Sequence, residues 1–216
     1  MADFAEKPRN RVMRYPKRAA YDTETVNAIL DEGLVCHVSF VMDGQPFIIP
    51  TIHARMGDQL LLHGLKGGRM LEHINAGNPL AVAVTLLDGL VLARTVFNHS
   101  MNYRSVVLFG RGASIEEPAQ KLEALRCLTE HVCRGRWADA RPPTDKELQA
   151  TTIVAIDIED ASAKIRKGPP GDAGDELEWP TWAGVLPLPV VPQAAETDPR
   201  QAEAFPVPAY VSDYRR

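Results

Sequence analysis

LLLHGLKGGRMLEHINAGN, residues 60–78, is the stretch on which the reading of this chain turns. Leu60, Leu61 and Leu62 make an apolar strand that runs into a loop. There Gly64, Gly67 and Gly68 permit close backbone approach and positive φ, and Lys66 and Arg69 bring positive charge. Met70, Leu71 and Ile74 then recur at helical spacing as one apolar face. A basic glycine loop opening a helix aims backbone N–H groups and cations at one point, which is the chemistry that holds a phosphate. The stretch has neither the Gly-Lys-Ser/Thr ending of a Walker loop nor the spaced glycines of a dinucleotide fingerprint. A strand-to-helix connection with solvated charges accounts for the same residues, and the stretch alone leaves both readings open.

The surrounding sequence is rich in strand signals. Asp22 is placed to cap a short helix that buries Val26, Ile29 and Leu30 and stops at Gly33. Residues 34–41 and 46–53 are apolar, β-branched runs joined at Asp43-Gly44, a hairpin signal, and Gly57-Asp58 turns the chain into 60–63. These three runs are expected to form an antiparallel meander. Residues 80–87 and 90–97 are expected to pair across Asp88-Gly89. Residues 103–114 read as a long strand bent at Gly110 and Gly112, as in a barrel. Pro118 to Arg134 carries Leu122, Leu125, Leu128 and Val132 at helical spacing, Thr144 caps a short helix, and 152–158 is a last strong strand.

The 216 residues suffice for one sizeable core, and the organisation expected is a basic arm (1–20), one domain (21–167) and a proline-rich segment (168–216). Nine of the 17 prolines lie from Gly168 onward, which excludes a regular helix or central strand there; the retained aromatics, Trp182 among them, predict a segment that wraps a surface. A net charge of -4 argues against a nucleic-acid surface, and the basic residues of the arm read as solvated or lying on a partner subunit. Residues 80–93 are too short and too interrupted to span a membrane, and no apolar run follows the N-terminal charges, so neither a membrane segment nor a signal peptide is expected. Cys36, Cys127 and Cys133 have no framework spacing and read as thiols in a reducing, cytoplasmic setting. His37, His73 and His131 read as surface or satisfied core groups. His53, His63 and His99 would suit a metal by ligand type, but no second spaced ligand supports one, and none is expected.

Five segments in order, PFIIPTIHAR, LLHGLKGGRML with its following Gly-Asn-Pro, NYRSVVLFGRG, TTIVAIDIEDASAK and WPTWAGVLPL, resemble the flavin-binding split-barrel proteins related to pyridoxamine 5'-phosphate oxidase. The 5-nitroimidazole reductase branch is the most similar, and the resemblance covers roughly residues 10–189. It implies a mainly β fold, a split β-barrel of six or more mostly antiparallel strands with peripheral helices. It also implies FMN in a groove at a homodimer interface, a small-molecule substrate, and a nicotinamide nucleotide (NADH or NADPH) or another small reductant. By this resemblance the flavin ring lies against Ile48, Ile49, Pro50 and Thr51, and Gly64, Lys66 and Arg69 match the phosphate loop. Many relatives have a lysine after this arginine, where this chain has Met70, which leaves more of the phosphate to Arg69. Tyr103, Arg104 and Ser105 match a flavin-contacting triplet, Trp182 a residue reaching over from the partner, and His63 the catalytic histidine beside the ring.

Residue chemistry alone offers alternatives. Arg104 in an apolar strand calls for an anion or for a carboxylate of the protein itself. Pro50 marks an edge strand, which would also suit a ligand at its free edge. The expected function is an FMN-dependent oxidoreductase, with a non-catalytic flavin-binding or storage protein, or a haem-handling split barrel with a histidine axial ligand, as the other readings.

Overall fold

The computed structural model describes residues 3–201 and 205–215. In chain order the elements are β1 (Ala19–Ala20), α1 (Thr23–Glu32), β2 (Val35–Met42), β3 (Gln45–Ile52), β4 (Ala54–Met56), β5 (Gln59–Leu65), α2 (Arg69–Asn75), β6 (Leu80–Leu92) and β7 (Ser100–Ser114). There follow α3 (Pro118–Val132), α4 (Arg136–Asp139), α5 (Asp145–Ala150), β8 (Thr151–Arg166), β9 (Gly184–Pro187) and α6 (Ala209–Ser212). Among the described residues nine strands form an antiparallel sheet in the order β3-β2-β6-β7-β8-β5-β4, with β1 added to β8 and β9 to β6. The path ends at β3 and β4 without closing on itself, and the fold is the mainly β, split-barrel type with peripheral helices that the sequence implies.

Two compact units divide the chain. The first is Met1–Thr51, Pro79–Arg111 and Ile158–Pro189; the second is Ile52–Asn78, Gly112–Asp157 and Val190–Arg216. In the first, Asp22 accepts the Thr25 N–H at 2.8 Å to cap α1, whose Val26, Ile29 and Leu30 are buried. Asp43 and Gly44 turn β2 into β3 with φ of 53° and 73°, the left-handed pair that a tight hairpin needs. β3 ends the strand path, so the edge position read from Pro50 is observed. The arm is anchored at three residues while its basic side chains stay largely exposed: Lys7 and Arg9 both pair with Asp160, whose side chain is 2% exposed, and the Asn10 amide donates to the carbonyls of Ala5 and Ala161. A buried carboxylate needs such cations, and they lie in the arm.

In the second unit β5 sits between β4 and β8, with Leu60, Leu61 and Leu62 all fully buried. Leu61 joins Ala54, Ala124, Leu128 and Ile153 in a core beneath α3. The helix buries Ala124 and Leu128, whereas Leu122, expected on the inner face, is 38% exposed. Thr144 and Glu147 form a reciprocal capping box on α5.

Two expectations are corrected. The meander does not continue, because the chain breaks at His53 and β5 pairs with β4 and β8. Asp88-Gly89 is not a hairpin but a bulge within one 13-residue strand, β6, and the reversal into β7 comes through a short 3-10 turn at Val96–Asn98. The glycine is required for a different reason: a Cβ at Gly89 would lie 2.8 Å from the Leu186 carbonyl oxygen, where β9 runs along β6.

Candidate functional site

In the second unit the register of β5 on β8 sets His63 opposite Ile153, Gly64 opposite Thr152 and Leu65 opposite Thr151. Gly64 is needed for packing, since a Cβ there would meet Leu71 Cδ1 of α2 at 3.0 Å. Gly67 has φ of 85°, a conformation that favours glycine, and turns the loop. The Lys66 N–H donates to the Ala150 carbonyl at 3.1 Å, which holds the loop against the end of α5. A cavity of about 210 Å³ opens here, bordered by Lys66, Gly67, Glu72, Glu116, Lys121 and Thr151 among others. Neither lysine has an ion-pair partner among the described residues, and two carboxylates share the lining, so the site is polar and near balance in charge. Arg69 opens α2, a helix of seven residues, and is outside this lining. Of the loop cations expected to act together, the structure brings Lys66 to the cavity and adds Lys121, which sequence reading missed because it lies far along the chain on α3.

His63 lies on the same face of β5 as Leu61, two residues on, and is half-buried. Its Nδ1 is sealed from solvent and has no hydrogen-bond partner among the described residues. Burial lowers its pKa, so the imidazole is neutral at neutral pH. A neutral, half-buried imidazole can hydrogen-bond or ligate through a nitrogen that solvent reaches. His53, fully buried between β3 and β4, has its ring 5.2 Å from that of His131 on α3, a juxtaposition the strand pattern did not reveal.

In the first unit Ile48, Ile49, Pro50 and Thr51 lie on β3; Ile48 and Pro50 are exposed while Ile49 and Thr51 are half-buried on the other face. Tyr103, Arg104 and Ser105 lie on β7, and the Ser105 hydroxyl donates to the Lys164 carbonyl at 3.2 Å. Arg104 takes up the protein's own carboxylates: it pairs with Asp88 and with Glu32, and those hydrogen bonds raise its pKa. The deeply buried arginine of this unit is Arg166, at the end of β8, which sequence reading did not single out. Trp182 is 67% exposed with its ring against Gly184, where an added Cβ would lie 2.8 Å from Cζ2.

Strand order, bulged β6 and the glycine loop after β5 together define a split-barrel protein. Residues 22–165 match the family model described as pyridoxamine 5'-phosphate oxidase, and the chain belongs to that family. The flavocytochrome Anf3 from Azotobacter vinelandii is 39% identical, with 97% of each chain covered and a TM-score of 0.90. An FAD and haem binding protein from Mycobacterium smegmatis is 37% identical, with 91% of this chain and 96% of that chain covered and a TM-score of 0.86. A candidate 5-nitroimidazole antibiotic resistance protein from Bacteroides thetaiotaomicron shares the fold at 20% identity, with 68% and 86% covered and a TM-score of 0.58. Comparison with curated proteins gives no match. No helix among the described residues is long and apolar enough to cross a membrane.

Proposed function

We propose that this protein binds a flavin nucleotide and haem and works as an electron-transferring oxidoreductase. The observation that carries the reading is likeness over the whole chain, 39% identity across 97% of both chains, to a protein described as a flavocytochrome. The 37% identical FAD and haem binding protein supports both cofactors and favours FAD as the flavin. When bound, the flavin exchanges electrons in ones or twos and haem iron in ones. The chain's own part is to hold and orient these groups.

His63 fits that part. Its neutral, half-buried ring would offer a nitrogen to a ligand's hydrogen bond or to a haem iron. In a second reading, an FMN oxidoreductase without haem, Lys66 and Lys121 would serve the phosphate, and the cavity of about 210 Å³ beside them is the specific observation favouring it. A homodimer belongs to either reading: Ile48 and Trp182, each 67% exposed, are apolar surface of the kind a second copy covers. A nicotinamide nucleotide as electron source and a cytoplasmic setting complete the proposal; none of the three cysteines is in a disulfide, which supports the latter.

The absorption spectrum of the purified, reconstituted protein tests this. Flavin bands together with a sharp Soret band are expected, and mixing with NADH or NADPH should bleach the flavin within seconds. Flavin bands without any haem uptake would move the assignment to the second reading. Loss of both cofactors on gel filtration would overturn both readings.

A further inference from the structure

Arg166, the last residue of β8, is 8% exposed, and the neighbours that hold it are neutral. Its Nη1 donates to Oδ1 of Asn102 and, at 3.3 Å, to the Gly168 carbonyl; its Nη2 donates to the Pro169 carbonyl at 3.2 Å. A guanidinium has five N–H donors. Both of those on Nη1 and one on Nη2 are used, so the Nε–H and one Nη2–H have no acceptor among the described residues. Nε and Nη2 form the edge with which arginine grips two oxygens of a carboxylate or phosphate.

Three carboxylates of this unit are engaged elsewhere. Asp160 is held by Lys7 and Arg9, Asp172 by Arg94 and Asn98, and Glu176 by Asn98. The charge that bears on Arg166 is a second cation. Ala19 pairs with Lys164 and Ala20 with Ala163, so Arg18 comes alongside the end of β8. Its guanidinium lies 4.2 Å from the ring centroid of Tyr15, a residue held at φ of 58°, left-handed backbone that a tyrosine seldom adopts. Burial first, and then the charge of Arg18, lower the Arg166 pKa, against a smaller opposing influence of Tyr103.

The brace around Arg166 is itself cross-linked by hydrogen bonds. Asn102, itself 8% exposed, also donates to the Gly168 carbonyl at 3.2 Å. Gly168 has φ of 106°, and two prolines follow it. Burying a cation against neutral groups alone is costly, and such a pre-set fork is of use when an anion arrives. We propose that Arg166 and Arg18 form an oxyanion site that takes a phosphate or carboxylate group of a bound small molecule on the Nε/Nη2 edge of Arg166. Under the proposed function, on which this part rests, the group is the phosphate of the flavin nucleotide or a propionate of haem.

Thermal unfolding of the full chain with inorganic pyrophosphate, at constant ionic strength set with chloride, tests the site first. Pyrophosphate is expected to raise the Tm of the wild type. Arg166→Gln and Arg18→Gln are each expected to weaken its binding about tenfold or more, the worth of a charge-assisted hydrogen bond. Arg166→Lys, which keeps the charge and loses the fork, should fall between. Arg18→Gln and Arg166→Lys carry the test if Arg166→Gln does not fold. Titrations then name the source. Loss in the variants of the preference for FAD or FMN over riboflavin assigns the flavin phosphate. Loss of the preference for haem over its dimethyl ester assigns the propionate. Arginine-dependent pyrophosphate binding by a chain that takes up neither cofactor would sink the proposed function and leave the site standing. Unchanged pyrophosphate affinity together with both preferences unchanged would overturn the site.

Discussion

Asp88 is the residue squeezed out of the β6–β7 ladder, and its carboxylate meets Arg104 there: Nη2 of Arg104 donates to Oδ1 at 2.7 Å and Nε to Oδ2 at 3.1 Å. Leu87 pairs with Tyr103 and Gly89 with Asn102, so the bulge supplies the extra residue that the ion pair needs. Glu32 at the end of α1 takes the other side of the guanidinium, with Nη2 to Oε1 at 2.7 Å. One arginine thus ties the bulge to the helix.

Arg104→Ala is expected to lower stability by about 1 kcal/mol, the upper range for pairs about a third exposed, because both carboxylates still reach water. The loss should shrink in 0.5 M salt and flavin affinity should stay within about threefold. Urea titrations at low and high salt, with a parallel flavin titration, check it; a flavin affinity that collapses while the fold holds would put Arg104 back among the cofactor contacts.

Gly112→Ala should be among the most damaging small substitutions in the second unit. The added Cβ would stand 2.5 Å from the Ala155 carbonyl oxygen and 3.0 Å from side-chain carbons of Ile156 and Ile74. Backbone cannot yield as a side-chain tip can, and a loss of about 1–3 kcal/mol is expected from overpacking. A Tm within a degree of the wild type would show that the strands part freely here.

His63 gives the protein an acid-side sensitivity. Burial holds its folded pKa below the ordinary 6.5, whereas in the unfolded chain the ring titrates near that value. The unfolded state therefore binds the proton first as pH falls. Stability from this residue is fully present above 6.5 and declines as the pH drops through it toward the folded pKa. Unfolding free energies at pH 7.5 and 5.5 should differ more in the wild type than in His63→Gln. Equal differences would mean that the ring is solvated.

For the loop the contrast between neighbours is the test. In the FMN reading, Lys66→Ala is expected to weaken binding of a phosphorylated flavin by about 1.5–3 kcal/mol, the worth of a charged hydrogen bond and roughly tenfold to over a hundredfold, and Arg69→Ala, outside the cavity lining, by less. His63→Ala should keep the flavin and alter its reduction or the haem band. Equal losses in all three, at matched circular dichroism, would mark the loop as a turn whose disruption acts globally.

Much of the fold was legible because local chemistry and tertiary structure agree. The Asp22 cap, the Asp43-Gly44 hairpin and the Thr144-Glu147 box are each set within a few residues, and each is present. Where neighbours in space were far apart in sequence, the signal was lost. Asp88-Gly89 has the composition of a turn, and only the approach of Leu186, almost a hundred residues on, makes it a bulge. The site divides in the same way. The strand-loop-helix around Lys66 was visible, but Lys121, the His53–His131 contact and the two arginines at the end of β8 depend on contacts that no spacing rule reports.

The edge strand β3 limits the ways in which another chain would add to this sheet. Along a strand successive backbone groups point to alternate sides, so those of Pro46, Ile48 and Pro50 share one side. Both prolines lack an N–H, which leaves Ile48 as the single donor of the three. With the two prolines removing half of the donors that residues 46, 48, 50 and 52 would offer, this rim is a poor template for another strand, which disfavours strand-to-strand growth at this border without any loss of apolar surface. An association through β3 would be steered toward side-chain packing over Ile48 and its flanks. That kind of contact selects its partner by shape, whereas a backbone ladder accepts any extended chain.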